Sequence, residues 1–255
     1  MMIHPQSKIA KKIFGVIFTI AILLGAYLLF RTDEPSTYIA NQTQHQPILN
    51  NNLNTNTNKE EEIKVPLPAK FSLTVPFTAQ APTGNWDQLH DEACEEASSI
   101  MAYAFFNDIS LNAPLVETEI TKLTKWQQEN FGYYLSISTE ETAKMIQANY
   151  DLKTELTKID EETIKRALVD GKLVILPANG KMLGNPNFTP PGPIYHMLVI
   201  TGYDEQGFIT NDPGTRKGLN YRYTYATLQD ATGNWSAGTK AVDLDNKKII
   251  IVSKN

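Results

Sequence analysis

Along the first part of the chain, hydrophobic and polar residues are segregated rather than interleaved. Eighteen uncharged residues at 13–30, IFGVIFTIAILLGAYLLF, lie between Lys12 and Arg31, about the shortest run that crosses a hydrocarbon core of roughly 30 Å as a helix. Residues 31–67 are rich in Asn, Thr and Gln with few large apolar side chains, which predicts a disordered tether. Interleaving starts at Phe71, Leu73, Val75 and Phe77, an edge-strand pattern because Pro76 interrupts it. From Cys94 the period lengthens. Ala97, Ile100, Met101, Ala104 and Phe105 recur at helical spacing. A second helix is predicted over about 114–130, with Pro114 in its first turn and Gly132 past its end. Ser138 with Glu141 has the form of a capping box before a third, and Asp160 caps a fourth that ends at Gly171. Thereafter the runs read as strands: 173–178, 195–204, 207–212, 221–225 and 248–253. Helices first and a mostly antiparallel sheet afterwards predict an α+β domain over 68–255.

Charge adds orientation to the apolar run. Lys8, Lys11 and Lys12 precede it, whereas Asp33 and Glu34 follow Arg31, so the positive-inside bias keeps 1–12 in the cytoplasm and places everything after 30 outside. The rival is a cleaved signal peptide, with secretion as its consequence; the length of the run and the lack of an A-x-A-like site after Phe30 favour an uncleaved, single-pass anchor. The net charge is −5, and residues 68–255, with 17 basic against 23 acidic side chains, carry all of the negative excess. That argues against nucleic acid as a partner, which would need clustered Lys and Arg. The chain has one cysteine and four histidines, which rules out an internal disulfide framework and leaves no Cys/His set for a structural zinc. No metal or other cofactor is expected.

Cys94 sits at a predicted helix start, where free N–H groups and the positive dipole end favour a thiolate. Gln88, six residues earlier in WDQLHDEAC, is the candidate side-chain donor for an oxyanion beside the Cys94 N–H. His196 opens the 195–204 strand and Asp212 closes the next one in FITNDPG. A turn near Asp204–Gly207 returns Asp212 to His196, so an imidazole that takes the thiol proton has a carboxylate to fix its tautomer. Asn211 is a weaker orienting candidate. His90 is read as a solvated loop residue without an orienting partner, and Trp86 as a cleft or packing residue. The Gly/Pro/Asn-rich loop 179–193 precedes His196 and either covers the cleft or is a variable insertion. Tyr221, Tyr223 and Tyr225 alternate as one face of a strand.

The ordered set VPFTAQAPTGNWDQLHDEACEEAS, HMLVITGYD and NDPG resembles papain-fold cysteine peptidases, most closely family 39, the bacteriocin-processing type, and its stand-alone relatives. The resemblance covers about 71–253. It implies Cys94 as nucleophile, His196 as general base and acid, Asp212 as orienting carboxylate and Gln88 as oxyanion donor, acting on a peptide or protein substrate. Two features depart from the family. Glu95 and Glu96 follow the cysteine where the family often has Gly; they suit the first turn of a helix but oppose thiolate formation. The chain also lacks the length and the G-x-x-x-x-G-K-[ST] loop of a fused transporter. Other readings are an inactive papain-like surface binding module, and an amidase or transpeptidase on the same fold.

Overall fold

The computed structural model describes residues 66–255. The expected cytoplasmic tail, the apolar run at 13–30 and nearly all of the tether lie outside the described residues. Among the described residues, no helix is long and apolar enough to cross a membrane.

In chain order the elements are β1 (Phe71–Ser72), α1 (Gln88–Asp91), α2 (Cys94–Phe106), α3 (Ala113–Phe131), α4 (Thr139–Tyr150), β2 (Leu152–Lys158), α5 (Glu161–Val169) and β3 (Leu173–Ala178). They continue with α6 (Gly180–Leu183), β4 (His196–Asp204), β5 (Gly207–Asn211), β6 (Tyr221–Tyr223), α7 (Tyr225–Ala231), β7 (Asn234–Ser236), β8 (Ala241–Asp243) and β9 (Lys248–Lys254). Local chemistry sets the helix ends. Asn112 caps α3 through the Leu115 N–H, and Gly132 ends it with φ 83°. Ser138 and Glu141 form a reciprocal capping box on α4, and Asp160 caps α5.

The main sheet runs β2-β9-β3-β4-β5-β6, every pair antiparallel, with β1 added to β4. Alternate residues of its central strands feed two cores. Leu173, Ile175, Met197, Val199, Ile250 and Val252 pack with α2, α3 and α4. Val174, Leu176, Leu198, Ile200, Ile249 and Ile251 pack instead with Ile164 and Leu168 of α5, Leu183 of α6 and Leu228 of α7. Helices on both faces explain why β3 is buried along its whole length. The result is the expected α+β architecture, helices with a mostly antiparallel sheet.

Several elements differ from the sequence reading, among them the short α1 and α6 and the β7–β8 pair, which it did not contain. The strand expected over Phe71–Phe77 pairs only at Phe71 and Ser72, with a further Leu73 N–H bond to the Thr201 carbonyl. The segment then crosses the sheet end, held by Asn211 Nδ2 on the Val75 carbonyl and by the Gln80 N–H on the Pro213 carbonyl; Tyr203 fastens its beginning at the Pro68 carbonyl. At Gly202 a Cβ would lie 2.5 Å from the Phe71 carbonyl oxygen, so the docking of β1 requires glycine there. The strand expected over 221–225 stops at Tyr223, because Thr224 accepts the Thr227 N–H and starts α7. β2 was not expected. It pairs with β9 from Leu152↔Lys254 to Lys158↔Lys248.

Candidate active site

Cys94 is the first residue of α2, and its own N–H is among those that a helix start leaves without an intrahelical partner. Cys94, Glu95 and Glu96 are all buried. The thiol donates to Glu95 Oε2 at 3.0 Å, while Glu95 Oε1 accepts the Ile137 N–H at 2.9 Å. Burial pushes the thiol well above its ordinary value, and the charge and hydrogen bond of Glu95 push it further, with Glu96 and Glu92 adding to the effect. Burial also raises the Glu95 carboxyl to about 7. Glu96, which accepts from the Gln127 amide, is pushed well up by burial and by Glu95. The glutamates are therefore more than an exposed cap on the helix dipole: in this state they hold Cys94 as a thiol.

His196 begins β4, and its Nε2 lies 2.7 Å from Asp212 Oδ1, with both side chains buried. The predicted hairpin produces this meeting, since Val199 pairs with Asn211 and Asp212 follows directly. Asp212 also accepts the Gly214 N–H at 3.0 Å, Asn185 Nδ2 at 3.1 Å and the Tyr223 hydroxyl at 2.5 Å. Burial alone would raise the Asp212 carboxyl; the charge and hydrogen bond of His196, with the Tyr223 and Gly214 bonds, outweigh it and hold the group below its usual value. Phe188 presses edge-on against the imidazole, with ring centroids 5.3 Å apart. A Cβ at Gly214 would lie 2.8 Å from His196 Cε1, so the loop seals the ring closely.

The first turns of α2 pack on the start of β4. Ser98 Oγ bonds the Met197 carbonyl at 3.3 Å, and Cys94 shares a core with Tyr195 and Met197, the two neighbours of His196. The structure thus brings the cysteine helix to the histidine strand, while the hydrogen bond of the thiol goes to Glu95. A cleft of about 860 Å³ opens at His196, with Tyr195, Gln80, Trp86, Phe188 and Trp235 also among the residues lining it; Cys94 is buried and is not among them.

Gln88 is exposed, at the first position of α1, and is not among the residues that line this cleft. The amide at the cleft is that of Gln80. Its Nε2 donates to the His90 and Asp91 carbonyls at 2.8 and 2.9 Å, and its buried Oε1 has no partner among the described residues. A fixed offset from the cysteine missed it because α1 and the turn at 81–84 intervene. The signal available was its place at the end of the extended VPFTAQ stretch. Asn185 and Tyr223 were missed as well; the former lies in the loop after α6 and the latter in the tyrosine alternation.

His90 departs from the expected solvated loop residue. It lies buried in α1 with Nδ1 2.7 Å from Asp87 Oδ1 and Nε2 2.9 Å from Glu117 Oε2 of α3, because the Asp87 cap turns the chain inward there. Asn211 bonds the Val75 carbonyl and the Asn220 N–H, so its side chain serves the fold. Trp86 lines the cleft as expected. Among the described residues no group of three or more His, Cys, Asp or Glu side chains could hold a metal ion.

The domain as a whole is similar to known proteins. The profile of the Peptidase_C39 like family matches residues 72–242, a span that includes Gln80, Cys94, His196 and Asp212. A solved structure of a provisionally named C39-like peptidase from Bacillus anthracis is similar over 73% of this chain and 98% of that one, with 16% identity and a TM-score of 0.48. No curated protein matches the chain. With two thirds of its length under the profile, the chain belongs to the Peptidase_C39 like family.

Proposed function

We propose that the protein is a papain-like cysteine peptidase that hydrolyses peptide or isopeptide bonds through a thioester on Cys94. The observation that carries this reading is the buried His196–Asp212 pair at 2.7 Å, with His196 lining the cleft and the Cys94 helix bonded to the His196 strand through Ser98 and the Met197 carbonyl. Asp212 engages Nε2 of the ring, so Nδ1 is the nitrogen left to take the thiol proton. The thiolate attacks the carbonyl, and the same imidazolium returns its proton to the leaving amine; water activated by His196 then releases the acyl group. The oxyanion is held by the Cys94 N–H and the Gln80 amide, which exchanges one of its carbonyl partners for the charge. The apolar run and its flanking charges support anchoring in a membrane with the peptidase domain on the outer side.

The experiment is incubation of the full-length protein with a proteome-derived peptide library. Cleavage that disappears in Cys94→Ala and His196→Ala supports the reading, and cleavage at the wild-type rate in Cys94→Ala overturns it. Gln80→Ala should lower kcat by roughly a hundredfold or more, whereas Gln88→Ala leaves it near the wild-type value. The Cys94–Glu95 contact favours one second reading, an inactive binding module. In that case Cys94 reacts with thiol electrophiles no faster than an ordinary thiol and the library stays uncut.

A further inference from the structure

The cleft continues past His196. At Gly214 it opens into a second hollow of about 840 Å³, and the two share Trp86, Asp91, Thr189 and Gly214 as a common wall. Their chemistry differs. The first hollow presents Tyr133, Leu135, Pro191, Ile194 and Trp235, and its charged residues include both signs, Glu92 and Lys240. The second adds Pro186, Asn187, Thr215, Arg216 and Lys217.

Arg216 and Lys217 are exposed, and no ion pair is formed by either among the described residues. Their loop is nonetheless fixed. The Gly214 N–H bonds Asp212 Oδ1, the Asp212 N–H bonds the Gly218 carbonyl, the Gly218 N–H bonds the Thr215 carbonyl, and the Lys217 N–H bonds Thr215 Oγ1. On the facing side a Cβ at Gly84 would lie 3.9 Å from the Arg216 guanidinium, which brings that cation to the turn beside Trp86. Two adjacent cations without partners, on a loop tied to the carboxylate of the site, form a positive wall in a domain whose net charge is negative. Asp91 is the acidic residue of this hollow and leaves it with one net positive charge. Such a wall raises the local concentration of anions and selects them over cations.

Resting on the peptidase reading, we infer that the Arg216–Lys217 hollow is a subsite for a carboxylate of the substrate, either an Asp or Glu side chain or a peptide C-terminus. The preferred substrate then carries a bulky apolar side chain on one side of the cleaved bond and a carboxylate on the other.

The test sequences both sides of every bond that the full-length protein cuts in the peptide library. It then compares matched synthetic peptides bearing Glu, Gln or Lys at the enriched position, and C-terminal acids with amides. Replacing Glu by Lys should lower kcat/KM by about tenfold or more, chiefly through KM, and 0.5 M salt should shrink the difference. Arg216→Glu combined with Lys217→Glu should reverse the ranking of the Glu and Lys peptides. A Glu effect identifies a side-chain carboxylate, and an acid-over-amide effect a chain terminus. A library without acidic or terminal enrichment, or an unchanged ranking in the double variant, overturns the subsite. A library left uncut overturns the peptidase reading instead. The subsite is then decided by binding of the Glu and Lys peptides to Cys94→Ala, where equal affinities count against it.

Discussion

Tyr223 donates its hydroxyl proton to Asp212 Oδ2 at 2.5 Å, and both side chains are buried. The carboxylate that orients His196 is therefore itself oriented by a strand neighbour, and Asn185 reaches both Asp212 Oδ2 and the same tyrosine oxygen.

Tyr223→Phe removes a hydrogen bond to a charged acceptor, a loss of about 1.5–3 kcal/mol of stability at neutral pH. The Asp212 carboxyl lies below its usual value in the fold, so this stability is present above the unfolded value and fades as pH falls through the folded one. Activity should drop by roughly tenfold, the effect of about 1.4 kcal/mol in the transition state. Denaturation at pH 7 and pH 3, with kcat/KM at pH 7, checks this; equal stability of the two proteins at pH 7 would sink it.

Glu95→Gln should make Cys94 more reactive. The wild-type carboxyl ionises near 7, and its charge then opposes the thiolate. The amide keeps an acceptor for the Ile137 N–H and removes the charge, so alkylation by iodoacetamide at pH 7.5 should rise by roughly tenfold, with its midpoint displaced to lower pH. An unchanged midpoint would show that burial alone governs the thiol.

The His90–Glu117 pair joins α1 to α3 and should be felt in the pH dependence of stability. Burial works against the imidazolium, but the bonds to Glu117 and Asp87 prevail and raise it above its ordinary value. A raised value places the stabilisation below the unfolded value of about 6.5 and removes it as pH rises through the folded one. Glu117→Gln should cost about 1 kcal/mol at pH 6 and progressively less as pH rises through the folded value. A melting-temperature difference that is constant over this range would contradict the assignment.

The parts that were legible in the sequence are those written by neighbours in the chain. The Ser138–Glu141 box, the Asp160 cap and the Gly132 stop are local, and each helix they bound is found. The His196–Asp212 meeting was legible for a similar reason, since one hairpin turn fixes it. What was missed depends on distant partners. β2 is an edge strand with Leu152 as its buried residue, so LKTELTK has no apolar alternation to announce it; its pairing is specified by β9, nearly a hundred residues later. His90 looks polar and solvated until Glu117 closes over it. Gln80 reaches the cleft because Pro213 holds its backbone, a relation no spacing to Cys94 encodes.

The fastening of residues 68–80 sets an order of events in time. Pro68 and Val75 are held by Tyr203 and Asn211, 135 and 136 positions along the chain, and contacts of that span are the slowest to form because their loops must close first. At about 5–20 residues per second of synthesis, the stretch bearing Phe71, Leu73 and Gln80 waits roughly 7–27 s for its partners to leave the ribosome. Helices α2 to α4 have by then been made, yet the nucleophile they carry lacks both its base and its amide. The first described segment to be synthesised takes its place only after strands made much later, and the floor of the cleft is complete only after Pro213 exists.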